Sequence, residues 1–277
     1  MQQFTLFLKT LWQRFFSDLC LMRAASLTFT TLLSIVPLVI FVFYLLSFFP
    51  SLQHAGKEME YFILRNFVAN SAVVVMQQLQ SFVANIKAVS LTNLIALIAI
   101  VMLMIFSMVD AINGVWHVKM NKESALSFFF YLVTLFVAPI FFAILLLISS
   151  YVTSLPLLSQ LVEIDVVRKP LVSLFPFLIE WIVFTLFHLL IPSCRVYFRY
   201  ALIAGLVTAV LFELAKWGFV QYIHYVPTYQ WVYGALAAIP LFFVWIYLSW
   251  LILIVGALIC QLLQTRDYLR LQTLKKD

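Results

Sequence analysis

Four ionisable side chains stand inside long apolar runs of this sequence, Glu180 and His188 in one run, Glu213 and Lys216 in the next. Carboxylates, imidazoles and ammonium groups hold ions, pass protons or grip polar headgroups. In hydrocarbon each costs at least about 2.5–3.5 kcal/mol unless it is paired or hydrated. Their retention points to binding or relay inside a membrane. Glu213 and Lys216 are three residues apart and share a helix face, so they form either a structural ion pair or part of a working polar network. Glu180 has no partner within a turn of its own helix. It pairs across to Lys216, is kept protonated by desolvation, or faces a wet cavity.

Other chemistries find no footing. The sequence holds no G-x-x-x-x-G-K-[ST], G-x-G-x-x-G, H-E-x-x-H or G-x-S-x-G pattern, the motifs that cradle phosphates, ligate zinc or present a nucleophile. Cys20, Cys194 and Cys260 are isolated, with neither C-x-x-C nor a Cys/His cluster, so no metal site, disulfide framework or other cofactor is expected. The reading is of a protein that is not an enzyme.

The elements that must position the four residues follow from composition. Of 277 residues 65% are hydrophobic and 10% charged, with a mean hydropathy of +1.08. Soluble domains run at about 25% charged, so a soluble globule is excluded. The apolar runs are long and unbroken, unlike the ten-residue alternation of an outer-membrane barrel. The fold class is all-α, a polytopic membrane protein of six transmembrane helices with added interfacial helices. The spans are expected at 28–49, 91–109, 127–151, 173–191, 200–222 and 235–263, since about 20 apolar residues cross the hydrocarbon. Eleven Lys and Arg fall on the side of the termini against five on the other, so both termini are expected in the cytoplasm. The N-terminal sequence lacks a short apolar core with a small-residue cleavage site and is expected to be retained. The whole of 1–277 reads as one membrane domain with a basic cytoplasmic tail at 264–277.

Residues 1–23 place Phe4, Leu8, Leu11, Phe15, Leu19 and Met22 at helical spacing, which predicts an amphipathic helix on the inner leaflet. The outer loop at 50–90 carries a second such pattern, a surface helix or a lid over the outer mouth, or else a helix that packs on the bundle. Ala201, Gly205 and Ala209 fall at four-residue steps, a small-residue stripe that lets another helix approach, and the next member of the series is Glu213. Pro37 follows Ser26, Thr28, Thr30, Thr31 and Ser34 in the first span; the two readings are a kinked helix lining a cavity or hydroxyls used in packing. Pro240 invites the same pair of readings in the last span. Asp110, beside Asn113, reads as a helix-end group. Trp217, Tyr222, Tyr225, Tyr229, Trp231 and Tyr233 read as an interfacial belt.

The stretches AASLTFTTLLSIVPL at 24–38, INGVWHV at 112–118, PSCRVYFRYALIAGLVTAVLFELAKWGF at 192–219 and YGALAAIPLFFVWIYLSWLILIVGA at 233–257 carry a family likeness. With these segments the sequence resembles the YihY/BrkB family of bacterial inner-membrane proteins, once labelled ribonuclease BN-like. The resemblance implies a six-span protein of the bacterial inner membrane, with envelope-lipid or lipopolysaccharide-related transport and serum resistance among the suggested roles. The ribonuclease label fits poorly, because two-metal nucleases need clustered carboxylates, whereas Asp18, Asp110, Glu123, Asp267 and Asp277 are scattered. Membrane lipids, a phospholipid or lipopolysaccharide-related substrate and a second copy of the chain are the partner classes; nucleic acid is not. Two functions stand against each other, a transporter or flippase of an amphiphile and a scaffold for envelope-assembly partners.

Overall fold

The computed structural model describes residues 2–47, 91–118, 165–225 and 238–273, and among them the regular structure is entirely helical. The helices are α1 (Gln2–Ser17), α2 (Cys20–Ser47), α3 (Leu91–Trp116), α4 (Asp165–Leu190), α5 (Phe198–Tyr225) and α6 (Ala238–Thr273). The stretches expected at 28–49, 91–109, 173–191, 200–222 and 235–263 overlap helices α2 to α6. The expected span at 127–151, the amphipathic pattern in 50–90 and Tyr229, Trp231 and Tyr233 lie outside the described residues. Ile95–Trp116, Phe198–Ile223 and Pro240–Thr265 are long and apolar enough to cross a membrane. The bent pair Thr5–Ser17 and Cys20–Ile35 adds a fourth crossing if it counts as one span, and Pro176–Leu190 is a shorter apolar helix.

The chain divides into two units, 1–32 with 106–121 and 177–277, and 33–105 with 122–176. All the polar chemistry discussed below belongs to the first. There the expected N-terminal helix breaks at Asp18–Leu19, where the axis turns by 53° into α2. Leu19 takes the left-handed conformation with φ 54°, and its N–H donates back to the Phe16 carbonyl at 3.1 Å. The C-terminus of α3 closes the same way. His117 has φ 54°, with His117 N donating to Gly114 O at 3.3 Å and Val118 N to Asn113 O at 3.0 Å. That pair is the Schellman pattern, normally given to glycine because a Cβ costs about 1–2 kcal/mol there. His117 is held in place by its bond to Asp18, described below.

Helix α5 is packed between α4 and α6. Ala201, Ala204, Thr208 and Ala209 have no exposed surface, as the small-residue stripe predicts. A Cβ on Gly205 would lie 2.3 Å from Thr185 Oγ1 and 2.8 Å from the Thr185 backbone nitrogen, so α4 and α5 touch backbone to backbone. On the other flank a Cβ on Gly256 of α6 would lie 2.1 Å from Thr208 Oγ1. Phe184, Phe212, Trp245 and Phe219 then carry aromatic contact across the three helices, with centroids 5.1 to 5.5 Å apart. Ile254, Leu258, Leu27, Ile112 and Val115 fill the buried interior.

The two proline readings resolve differently. Pro37 lies inside α2, but the hydroxyls before it bond their own helix: Thr28 Oγ1 donates to Ala24 O at 2.7 Å, Thr30 to Ser26 O at 2.9 Å and Thr31 to Leu27 O at 2.7 Å. Thr31 Oγ1 also accepts from Trp250 Nε1 of α6 at 2.9 Å, which makes it a packing residue. Pro240 stands in the first turn of α6, where a missing N–H costs nothing and a fixed φ favours initiation. There it begins the helix and does not interrupt it.

Candidate functional site

Lys216 reaches from α5 to two carboxylates. Its Nζ donates to Glu180 Oε1 of α4 at 2.7 Å and to Glu213 Oε1 of its own helix at 2.8 Å. Of the alternatives open to Glu180, pairing across to Lys216 is the one observed. Helix periodicity puts Glu213 and Lys216 on one face; the register of α4 against α5 brings Glu180 to the same nitrogen. The ammonium also sits 5.6 Å from the Phe212 ring centroid, within the range of a cation–π contact. With every group ionised the triad carries one surplus negative charge.

The three side chains are sheltered unequally, with Glu180 24%, Lys216 35% and Glu213 42% exposed. Glu213 is thus less enclosed than its place in the small-residue series predicts. Close helix approach ends with Ala209, because Phe212 and Glu213 are too bulky to continue it. Glu180 Oε2, by contrast, is buried and has no hydrogen-bond partner among the described residues.

His188 does not join the triad. It is 1% exposed, and its Nε2 lies 2.9 Å from Thr208 Oγ1. Thr208 gives its own O–H to Ala204 O at 2.7 Å, so His188 Nε2 is the donor in this contact. Nδ1 is left buried without a partner among the described residues. With Gly256 pressed against both, His188 locks three helices together and has the geometry of a packing residue.

A second polar cluster lies at the α1–α2 corner, which the sequence reading did not single out. Asp18, 5% exposed at its side chain, accepts from Arg14 Nε at 2.7 Å and from His117 Nε2 at 2.9 Å. Arg14 also donates to Val115 O at 3.2 Å, and Arg23 Nε to Asp18 O at 2.9 Å. Nearby, Asn113 Nδ2 donates to Ser193 Oγ and Ser193 N to Asn113 Oδ1, both at 2.8 Å, tying the end of α3 to the loop before α5. Tyr197 N in that loop donates to Gln264 Oε1 of α6 at 3.1 Å, and Gln264 Nε2 returns a bond to Arg195 O at 2.9 Å. The only prior signal was the i, i+4 spacing of Arg14 and Asp18. Asp110 is exposed, and its neighbour Asn113 is the structural residue. In the same loop the Cys194 thiol is pushed above its ordinary range by burial. Among the described residues no group of three or more His, Cys, Asp or Glu is placed to hold a metal ion.

The family described as virulence factor BrkB matches residues 11–277, a range that contains both polar clusters. The chain belongs to the BrkB family. A UPF0761 membrane protein of Coxiella burnetii is 36% identical to it over 249 residues, 90% of either chain. UPF0761 membrane proteins of Azotobacter vinelandii and Mannheimia succiniciproducens are each 36% identical, over 95% and 93% of this chain and 65% and 89% of their own lengths. No solved structure matches. The likeness to YihY/BrkB proteins read from the sequence is therefore borne out. With relatives named as membrane proteins and apolar helices of spanning length, this BrkB-family chain is a multi-pass membrane protein.

Proposed function

We propose that the chain crosses the bacterial inner membrane six times with both termini in the cytoplasm, and that it transports or flips an envelope lipid or related amphiphile without enzymatic chemistry. The observation that carries the reading is the Glu180–Lys216–Glu213 triad, three charged groups joined across α4 and α5 within apolar helices. A purely structural membrane helix pair gains little from such a triad, because desolvation offsets most of the attraction. A polar element inside a bundle is what an amphiphile's headgroup needs in order to pass. Replacing Glu180 or Glu213 singly with Gln, at unchanged protein level, should abolish complementation of a deletion strain. Full activity of both variants refutes transport through the triad.

A scaffold reading draws support from α6, which continues to Thr273, beyond the apolar stretch Pro240–Thr265, and so carries Arg266 and Arg270 past it. That reading expects deletion of 266–277 to do more damage than either Gln substitution. The orientation has its own test. A membrane-impermeant thiol reagent should reach Cys194 only from the cytoplasmic side, and labelling of intact spheroplasts overturns the inside assignment.

A further inference from the structure

The triad holds two carboxylates against one ammonium, and the mismatch has a chemical consequence. A surplus negative charge inside an apolar helix pair is costly by several kcal/mol, so the site is completed by one positive charge from outside. A metal ion fits badly. Calcium and magnesium demand six or more oxygen ligands, whereas Glu180 and Glu213 already spend an oxygen each on Lys216. A proton needs one oxygen only. Glu180 Oε2 is the buried oxygen without a partner, and Glu180 is the better sheltered of the two carboxylates.

We propose that the triad is a proton-binding site at Glu180 and that, if the transport reading holds, protons are the ions coupled to transport. In the step itself a hydronium ion gives one proton to the Glu180 carboxylate, its O–H bond breaking to leave water as the new O–H forms; Lys216 remains an ammonium held by Glu213, and the triad goes from one surplus negative charge to none. Among the described residues the groups facing Glu180 are Lys216 and Glu213 from α5. On its own helix His188 is engaged with Thr208. Helix α6, packed on α5 through Trp245, carries no Asp, Glu, Lys, Arg or His between Ala238 and Thr265, its titratable groups being Tyr247 and Cys260.

The test needs no knowledge of the passenger. The full chain is reconstituted in phosphatidylcholine vesicles, and infrared difference spectra are taken between alkaline and acidic buffer, reading the C=O stretch of protonated carboxyls. Subtracting the E180Q spectrum from wild type should leave one carboxyl band, E213Q should keep that band but only in more acidic buffer because its surplus charge is gone, and E180Q should take up one proton fewer per chain. A flat double difference, or a band lost in E213Q and kept in E180Q, overturns the proposal. If E180Q does not fold, K216M serves: without the ammonium, the wild-type band must persist into more alkaline buffer, and an unmoved band overturns the assignment. The two readings fail separately. A band together with full complementation by both Gln variants leaves the proton site standing and removes transport. No band together with lost complementation does the reverse.

Discussion

Replacing Lys216 with methionine keeps the length and apolar bulk of the side chain and deletes the ammonium that holds two carboxylates together. The acceptor oxygens of Glu180 and Glu213 lie 2.7 and 2.8 Å from the same nitrogen, so they are at most about 5.5 Å apart. Two unit charges at that distance repel by about 3 kcal/mol at an effective dielectric of 20. Partial exposure of all three side chains lowers this to about 2–3 kcal/mol where water reaches the face. The K216M variant should lose that much stability at a pH where both carboxylates are ionised, measured by reversible unfolding in mixed micelles. In an E180Q background the repulsion is already gone, and K216M should cost about 1 kcal/mol or less. The difference, about 2 kcal/mol, is the coupling energy of a double-mutant cycle. Acid should narrow the loss in K216M, because a proton then stands in for the missing ammonium. An unchanged stability in K216M refutes the reasoning, as does an equal loss in the two backgrounds.

Three further outcomes follow from the packing and the corner. Asp18→Asn weakens the acceptor that Arg14 and His117 share, and since hydrogen bonds to charged groups contribute about 1.5–3 kcal/mol, stability should fall by about 2 kcal/mol and proteolysis after α1 should quicken; unchanged digestion speaks against the corner as the anchor of α1. Gly256→Ala would place a Cβ 2.1 Å from Thr208 Oγ1 and 2.6 Å from His188 Nε2, an overpacking expected to cost about 1–3 kcal/mol. Gly218→Ala meets nothing within 4 Å and should be neutral or gain up to about 1 kcal/mol in helix propensity, so equal losses at the two glycines would refute the close approach of α5 and α6. The raised thiol range of Cys194 means less thiolate at neutral pH than an ordinary cysteine has, so its maleimide labelling should be slow and accelerate as the pH rises, while Cys20 and Cys260, both buried, stay unlabelled.

How far the sequence could be read depended on the range of the interactions involved. Helices α3, α5 and α6 were legible because a bilayer leaves the backbone no other way to satisfy its hydrogen bonds, and apolar length alone marks a helix able to cross it. The Ala201, Gly205 and Ala209 face was legible for a similar reason, since close helix approach admits only small residues and their four-residue step is local. The Asp18 corner was not. It depends on Leu19 and His117 taking left-handed conformations, which no local preference of leucine foretells, and on partners about a hundred residues apart in sequence.

The sequence by itself determined that charge lies inside apolar helices, which groups carry it, and that Glu213 and Lys216 share a face. Only the tertiary structure decided that Glu180 closes the triad while His188 does not. The cause is the register of α4 on α5, set where Gly205 meets Thr185 and His188 meets Thr208. A slide of one turn, about 5.4 Å along the axis, would part Glu180 from Lys216 without altering a single residue of either helix.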